Sequence, residues 1–368
     1  MFYPLEKKSV GKVLGLSDEL GAFLKFGNQT AATPSGAKRL YRDSTAVSIP
    51  VNWVAEAFAS LRPVILEDGK FITDHPVLDL LQMPGPDYTA KLFMETLGKD
   101  FLITSESHLV AIGNINRSPF ELQPIGPENT SPNQGMGGLA DSWTISGVTM
   151  SGNYKRTRVG RKVRYIRDNL SEMKTIRGYS PRNNSLLRGE SVLKAASAEA
   201  RQHIKGNAHN LSILEKGGRL SLHFHRKTDQ QLDDHDEWSQ KVRAQYGGTG
   251  GERIAVTSGG ELMIEEMGVN NKDMDFATLQ DMAKTACALV YKVPLPLLDN
   301  KAATLNNYKE ARAALIVDAV LPLADTIYPG LTGLLMPRFG LDPAKTQITY
   351  NRQTIAALAH LILEEIKL

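Results

Sequence analysis

YKVPLPLLDNKAATLNNYKEA, residues Tyr291 to Ala311, reads as a helix stopped, a short loop and a helix restarted. Val293 precedes a proline, and a residue in that position is pushed out of helical geometry. Pro294 and Pro296 each fix φ and remove a backbone donor. The following Leu297–Ala303 is made of small residues with one Asp and one Lys, and Thr304 can cap the helix that restarts. Upstream, a helix opening at Asp273 places Phe276, Leu279, Ala283, Ala286, Cys287 and Val290 on one face. Downstream, the long helical pattern contains Pro322, which predicts a kink rather than an end.

Working outward, a second helix pattern starts at Glu190, with Leu193, Ala196, Ala200 and Ile204 at helical spacing. Between these two helices lies a small α/β pattern. RLSLHF alternates like a strand, LDDHDEWSQKVRAQY reads as a polar helix, and IAVT and ELMIEEM flank Ser258-Gly259-Gly260 as a hairpin. Toward the N-terminus, a helix opening near Pro50, with Trp53, Ala57 and Leu61 on its core face, runs into a strand after Pro63. His75-Pro76 begins a helix that Pro84-Gly85-Pro86 ends, and KLFMETLGKDFLI is a third helix leading into the strand HLVAI at His108. Residues Ser118 to Met150, rich in Pro, Gly and Asn, read as loop with short strands. The C-terminus, from Thr346, reads as a strand and then a helix with Ile355, Leu358, Ile362 and Ile366 inward.

The chain's 368 residues exceed a single ordinary core, and 42% hydrophobic with 23% charged residues is a globular composition. One cysteine, Cys287, excludes an intrachain disulfide and multi-cysteine zinc, and on an apolar helix face it reads as inert. No signal-like opening and no uninterrupted apolar run of membrane-spanning length stand out, which makes the Asn-X-Ser/Thr triplets chance matches. The net charge of +3 argues against gripping nucleic acid over the whole surface. Basic charge is concentrated in KRTRVGRKVRYIR, where Lys155, Arg156, Arg158, Arg161, Lys162, Arg164 and Arg167 meet no acid. This is either a phosphate-facing patch or a solvated loop and strand face.

The densest chemical cluster is HFHRKTDQQLDDHDEW, with His223, His225, Asp233, Asp234, His235 and Asp236. Histidine with carboxylate could hold a transition metal and serve a metal-dependent hydrolase. Against this, both His223 and His225 fall on one strand face, and the acidic run sits where a helix starts and acids are favoured by its dipole. The stretch nearly spells the H-x-K-x4-D of phospholipase D enzymes, but Leu232 stands where the Asp belongs. No G-x4-G-K-[ST] is present, which excludes a packaging motor. GMGGL and YGGTGGERI lack the strand-to-helix setting of a dinucleotide fingerprint.

From about Val47 to Leu335 the chain resembles the bacteriophage portal proteins of the HK97 type. The pieces that carry the resemblance are VNWVAEAFASLRPVIL, HPVLDLLQMPGP, RGYSPRNNSLLRGES, Trp238 with YGG and GGERIAVTSGGELMI, and ATLNNYKEA with AVLPLADTI, in that order. There are departures: Ser105-Glu106-Ser107-His108 stands where the family often has Gly-Asn-Ala-Tyr, Pro84-Gly85-Pro86 where it has P-N-P, and Val192 where a Pro often follows the Gly-x-Ser turn.

The resemblance implies an α+β portal fold and a non-enzymatic ring, a dodecamer, at one capsid vertex, through which double-stranded DNA passes without sequence reading. It implies an N-terminal arm and wing over 1–188, stem helices over 189–214 and 270–292, a clip over 215–269, a tunnel loop over 293–305, a wing helix over 306–340 and a crown over 341–368. In the tunnel loop, Pro294 and Pro296 would hold the base, Asp299, Asn300 and Lys301 would approach the channel axis, and Thr304 would cap the wing helix. His225, Asp234, Trp238 and Tyr246 would lie on the clip surface that docks partners. Those partners would be other copies of the chain, the major capsid protein, the terminase large subunit and the head–tail adaptor, with no cofactor, no metal and no membrane. The place would be the virion, reached from the host cytoplasm during assembly. The Ala-rich face from Leu193 to Ile204 is expected at or near the contact between copies.

Overall fold

Thr33 begins the described secondary structure by accepting the Gly36 amide at 3.1 Å, capping helix α1 (Pro34–Asp43). This computed structural model describes residues 31, 33–113, 119–134, 140–146, 157–159, 162–166, 173–181, 187–215, 222–226, 240, 254–258, 263–266, 276–298 and 305–359. The chain divides into two compact units, one of residues up to Ser197 together with Thr285–Leu368, the other Ala198–Lys284. The fold is α+β, as the sequence predicted.

In the first unit α2 (Thr45–Ala59) follows α1 at once, and Pro50 lies inside it rather than at its start. The buried face of α2 is Val47, Val51, Val54, Ala55 and Phe58, so the face expected from Trp53 and Ala57 is rotated, although Leu61 is buried as expected. Strands β1 (Pro63–Glu67) and β2 (Lys70–Ile72) follow, then α3 (Pro76–Gln82), whose first turn is capped by His75 Nδ1 accepting the Val77 amide. Helix α4 (Ala90–Thr104) packs on α2, and its Thr89 cap accepts the Leu92 amide. Phe58 is fully buried at this contact, worth about 1.5–3 kcal/mol relative to exposure.

Two sheets form a layered core beyond α4. One has the order β4-β3-β9, from β3 (Glu106–Ile112), β4 (Glu121–Ile125) and β9 (Met173–Arg177). The other has the order β5-β6-β8-β7, from β5 (Thr130–Gln134), β6 (Ala140–Ser146), β7 (Thr157–Val159) and β8 (Lys162–Ile166). Val110, Ile112, Ile125, Trp143, Ile145 and Met173 form one apolar cluster across them. The Pro- and Gly-rich region is therefore more strand than loop. Its prolines are accommodated because Pro124 and Pro132 lie on β4 and β5, both edge strands in which a missing donor leaves no ladder bond unmade.

The long C-terminal helical run also belongs here. It comprises α7 (Leu305–Leu315), a π-helical turn (Ile316–Val320) and α8 (Leu321–Leu335), closed by a 3-10 turn (Met336–Phe339). Pro322 produces the expected irregularity one turn earlier: Leu321 donates to Ile316 in an i→i−5 bond, widening the ladder before the residue that has no N–H. A second proline, Pro329, sits inside α8. By length and apolar composition the run Asn306–Phe339 could cross a bilayer, a segment the sequence reading did not single out. Its apolar residues are spent internally, with Leu323, Ile327, Tyr328, Leu331 and Leu335 buried. A Cβ at Gly330 would come 2.5 Å from the end of the Ile176 side chain, so glycine there lets α8 lie on β9 without that side chain shifting.

Strand β13 (Thr346–Tyr350) returns antiparallel to β1, giving the order β13-β1-β2. Thr332 ties it to α8, donating to the Tyr328 carbonyl at 2.9 Å and accepting the Ile348 amide at 2.9 Å. Residues 346–350 of the stretch expected as crown thus pair with an N-terminal strand. After them come 3-10 turns at Arg352–Thr354 and Ala356–Leu358 rather than an immediate helix; Leu358 is buried, and Ile362 and Ile366 lie outside the described residues.

The second unit carries most of α5 (Ser197–Glu215), the first part of α6 (Phe276–Val290) and the strands β10 (Leu222–Arg226), β11 (Ile254–Ser258) and β12 (Met263–Glu266). Helix α5 starts later than expected, after a 3-10 turn at Val192–Lys194. Gln280 Nε2 donates to Asn207 Oδ1 at 2.7 Å, joining α6 to α5. The strands are not the expected β11–β12 hairpin: β10 lies between them, parallel to β11 and antiparallel to β12. On α6, Ala283 and Cys287 are buried as expected, while Leu279 is exposed together with Met282 and Leu289.

Candidate functional site

Helix α6 does not wait for the prolines to stop. Lys292 adopts the left-handed conformation (φ 55°), the Val293 amide donates to the Ala288 carbonyl at 2.9 Å, and the Lys292 amide donates to Leu289 at 3.1 Å. This is a Schellman motif with lysine where glycine is usual. Pro294 and Pro296 then belong to a 3-10 turn over Leu295–Leu297, and Val293 and Leu297 are buried beneath it. The base of the connection is therefore held by a helix cap, a proline-built turn and two apolar anchors. Asp299, Asn300, Lys301 and Thr304 lie outside the described residues.

A cavity of about 220 Å³ opens beside this base, walled by Phe101 and Leu102 at the end of α4, Val192, Tyr291, and Pro322 and Leu323 of α8. Asp318 and Ala319 bring the π-helical turn to its edge. Tyr291 is buried in its wall, its hydroxyl without a partner among the described residues, and burial holds that phenol well above its ordinary range.

Ser105 connects the cavity to a buried polar clasp. It ends α4 in the left-handed conformation (φ 56°), and its carbonyl accepts the Gly178 amide at 2.8 Å. Glu106, fully buried, accepts the Gly189 amide on Oε1 at 2.7 Å and Arg188 Nη1 on Oε2 at 3.1 Å. Arg188 also donates through Nη2 to the Thr130 carbonyl. His108 Nε2 lies 3.4 Å from Glu106 Oε2 and Nδ1 3.0 Å from the Thr175 hydroxyl, with the ring packed 4.9 Å from Trp143. Burial lowers the His108 pKa more than Glu106 raises it, so the ring is neutral, with Nε2 as donor to a carboxylate that only accepts. A Cβ at Gly189 would come 2.2 Å from the Ser105 carbonyl oxygen, so no other residue fits between these backbones. The bonds of Glu106 to Arg188, the Gly189 amide and His108 fix residues 188–189 against β3.

The remaining expected residues are distributed as follows. Arg158, Lys162 and Arg164 lie on the antiparallel pair β7–β8, with Thr157 opposite Arg164 and Val159 opposite Lys162; Lys155, Arg156, Arg161 and Arg167 lie outside the described residues. His223 and His225 lie on β10, the middle strand of its sheet, while Asp233, Asp234, His235, Asp236, Trp238 and Tyr246 lie outside the described residues. Among the described residues, no three His, Cys, Asp or Glu converge as metal ligands. Of the Ala-rich face, Leu193, Ala196 and Ala200 are buried within the chain itself and Ile204 is half-buried. The clasp was missed, although its residues stand where the sequence departs from the HK97-type pattern at Ser105–His108.

Residues 45–358 match the family model described as phage portal protein. An uncharacterized protein of Rickettsia bellii (strain RML369-C) is 26% identical over 325 residues, covering 86% of this chain and 80% of its own length. In three dimensions, the fold is similar to that in the neck of a native gene transfer agent particle computed with C12 symmetry (TM-score 0.63, 21% identity, 91% of this chain and 89% of that one). It is also similar to an HK97 family phage portal protein from Corynebacterium diphtheriae (TM-score 0.57, 15% identity, 90% of this chain and 98% of that one). With the family model matching residues 45–358, most of its length, the chain belongs to the phage portal protein family.

Proposed function

We propose that the chain assembles head-to-tail into a closed ring at one capsid vertex and forms a passage for double-stranded DNA during packaging and ejection. Heterologous contacts between identical copies either close into a ring or run on as a filament. The observation that carries this reading is the fixed base of the α6–α7 connection, where a Schellman cap, two prolines and two buried anchors secure the chain as far as Leu297. In this reading, residues 293–305 form the tunnel loop, with Asp299, Asn300 and Lys301 nearest the axis. A weakly charged tip suits sliding DNA, since strong phosphate binding would stall it.

That Ala198–Lys284 is a compact unit of its own supports reading it as the stem and clip part of the chain. Within it, His225, Asp234, Trp238 and Tyr246 form the surface for the terminase large subunit and then the head–tail adaptor. The basic run Lys155–Arg167 serves a ring or capsid surface. The protein acts without catalysis, in the virion, after assembly in the host cytoplasm.

Native mass spectrometry and negative-stain imaging of the purified chain test the assembly. A closed ring of twelve or a neighbouring number is expected, and deletion of Asn300–Ala303 should leave the ring intact while impairing DNA packaging or retention. A strictly monomeric protein at high concentration overturns the reading.

A further inference from the structure

Away from the loop and the clasp, α1 and α4 border an open cleft of about 730 Å³, within the size range of small-molecule sites. Lys38, Arg39 and Arg42 from α1 and Lys99 from α4 place four cations on its wall, against two wall acids, Asp100 and Glu128. Both acids are spent on one cation: Lys38 Nζ lies 2.7 Å from Asp100 Oδ1 and 2.6 Å from Glu128 Oε2. Outside the wall, the single carboxylate of Asp43 is shared by two guanidiniums, with Arg39 Nε at 3.3 Å and Arg42 Nε at 2.9 Å. Lys99 meets Glu95 at 2.6 Å. The Arg42 side chain is 73% exposed, and among the described residues only its Nε has a partner, which leaves both Nη groups to offer. The first turn of α1, through Ser35, borders the same space, and a helix N-terminus favours negative charge.

We propose that this cleft binds a phosphate group, held by the guanidinium fork of Arg42 with Arg39 and Lys99. Planar guanidinium donors suit the paired oxygens of phosphate, and ion pairs this exposed are weak enough to be shared with an arriving anion. Asp100 gives the site a signature. It is nearly enclosed, faced by Lys38 from α1 and Glu128 from the turn before β5, and burial pushes its carboxyl up to about 6. As pH falls through that value the wall loses a negative charge, and phosphate binding tightens.

Fluorescence anisotropy with a labelled nucleoside triphosphate, competed by a short DNA duplex, tests the site on the full chain. Arg42→Ala should weaken binding about tenfold, the loss expected for a charged hydrogen-bonding partner. Arg62→Ala, which removes an exposed cation not on the wall, should change nothing. Asp100→Asn should bind several-fold tighter than the natural chain at pH 7.5, and the two should converge at pH 5. Displacement by the duplex identifies a nucleic-acid backbone as the source of the phosphate, and its absence a free phosphate compound; either supports the site. Equal binding by the natural chain and Arg42→Ala, equal losses in Arg42→Ala and Arg62→Ala, or displacement only by a Glu-rich peptide overturns it. Ring mass measured on the same samples separates this outcome from failure of the assembly proposal.

Discussion

Glu106 is fully buried, and at the residue scale that is tolerable only because Arg188, the Gly189 amide and His108 surround its two oxygens. Replacing Glu106 with alanine leaves Arg188 Nη1 and the Gly189 amide without their acceptor and Arg188 without a counter-charge, and should cost about 3–5 kcal/mol in chemical denaturation. His108 adds a pH dependence of defined sign. Its folded pKa is lowered, so the unfolded chain binds the proton more readily and stability contributed here is lost as pH falls below the ordinary histidine range. Asp100 acts in the opposite sense, because its folded pKa is raised to about 6 from 3.8. The folded chain holds that proton more tightly, so stability contributed here is present at low pH and lost as pH rises from about 4 to 6. Denaturation of Asp100→Asn beside the natural chain should isolate this: relative to the variant, the natural chain should lose about 3 kcal/mol over that window and nothing further above it.

Lys292 shows how an element can end in a way that residue type does not announce. The left-handed position closing α6 is the one that glycine occupies without steric cost, and a lysine there bears about 1 kcal/mol of strain. Lys292→Gly should therefore raise the stability of the first unit by about 1 kcal/mol, and Lys292→Val should lower it, both read by thermal or urea unfolding. If Gly proves destabilising, the Lys292 side chain at the cavity edge contributes more than its backbone costs. The π-helical turn before Pro322 has the same character: a proline in a long helix announces an irregularity, but the widened bond from Leu321 to Ile316 places it before the proline.

For the whole molecule, the proposed ring puts the basic run at a ring or capsid surface. Arg158, Lys162 and Arg164 lie on the β7–β8 pair, and among the described residues β7 is an edge strand of its sheet. No helix-turn-helix pattern adjoins them, so no sequence-specific DNA reading is expected. Charge reversal at these three positions should disturb ring or capsid assembly, seen as a shift to smaller species in native mass spectrometry. Intact rings with loss of sequence-selective DNA binding would refute the assignment.

Periodicity and punctuation alone determined the element types, because a 3.6-residue or two-residue apolar pattern and a proline act locally. The helices α3, α4 and α6, the strands β1, β3, β10 and β13, and the break at Val293–Pro296 were legible in this way. The ordered set of short motifs also determined the family. Tertiary structure decided what depends on partners distant in sequence. The buried face of α2 follows from the elements packed on it, which outrank the pattern around Trp53, and β10 separates β11 from β12 because pairing, unlike a turn, is a long-range choice. The clasp of Glu106 with Arg188 and the bridge of Lys38 to Asp100 and Glu128 join residues far apart along the chain. A buried charge is stable only where its partner is brought to within hydrogen-bond reach, and that distance is set by the fold as a whole.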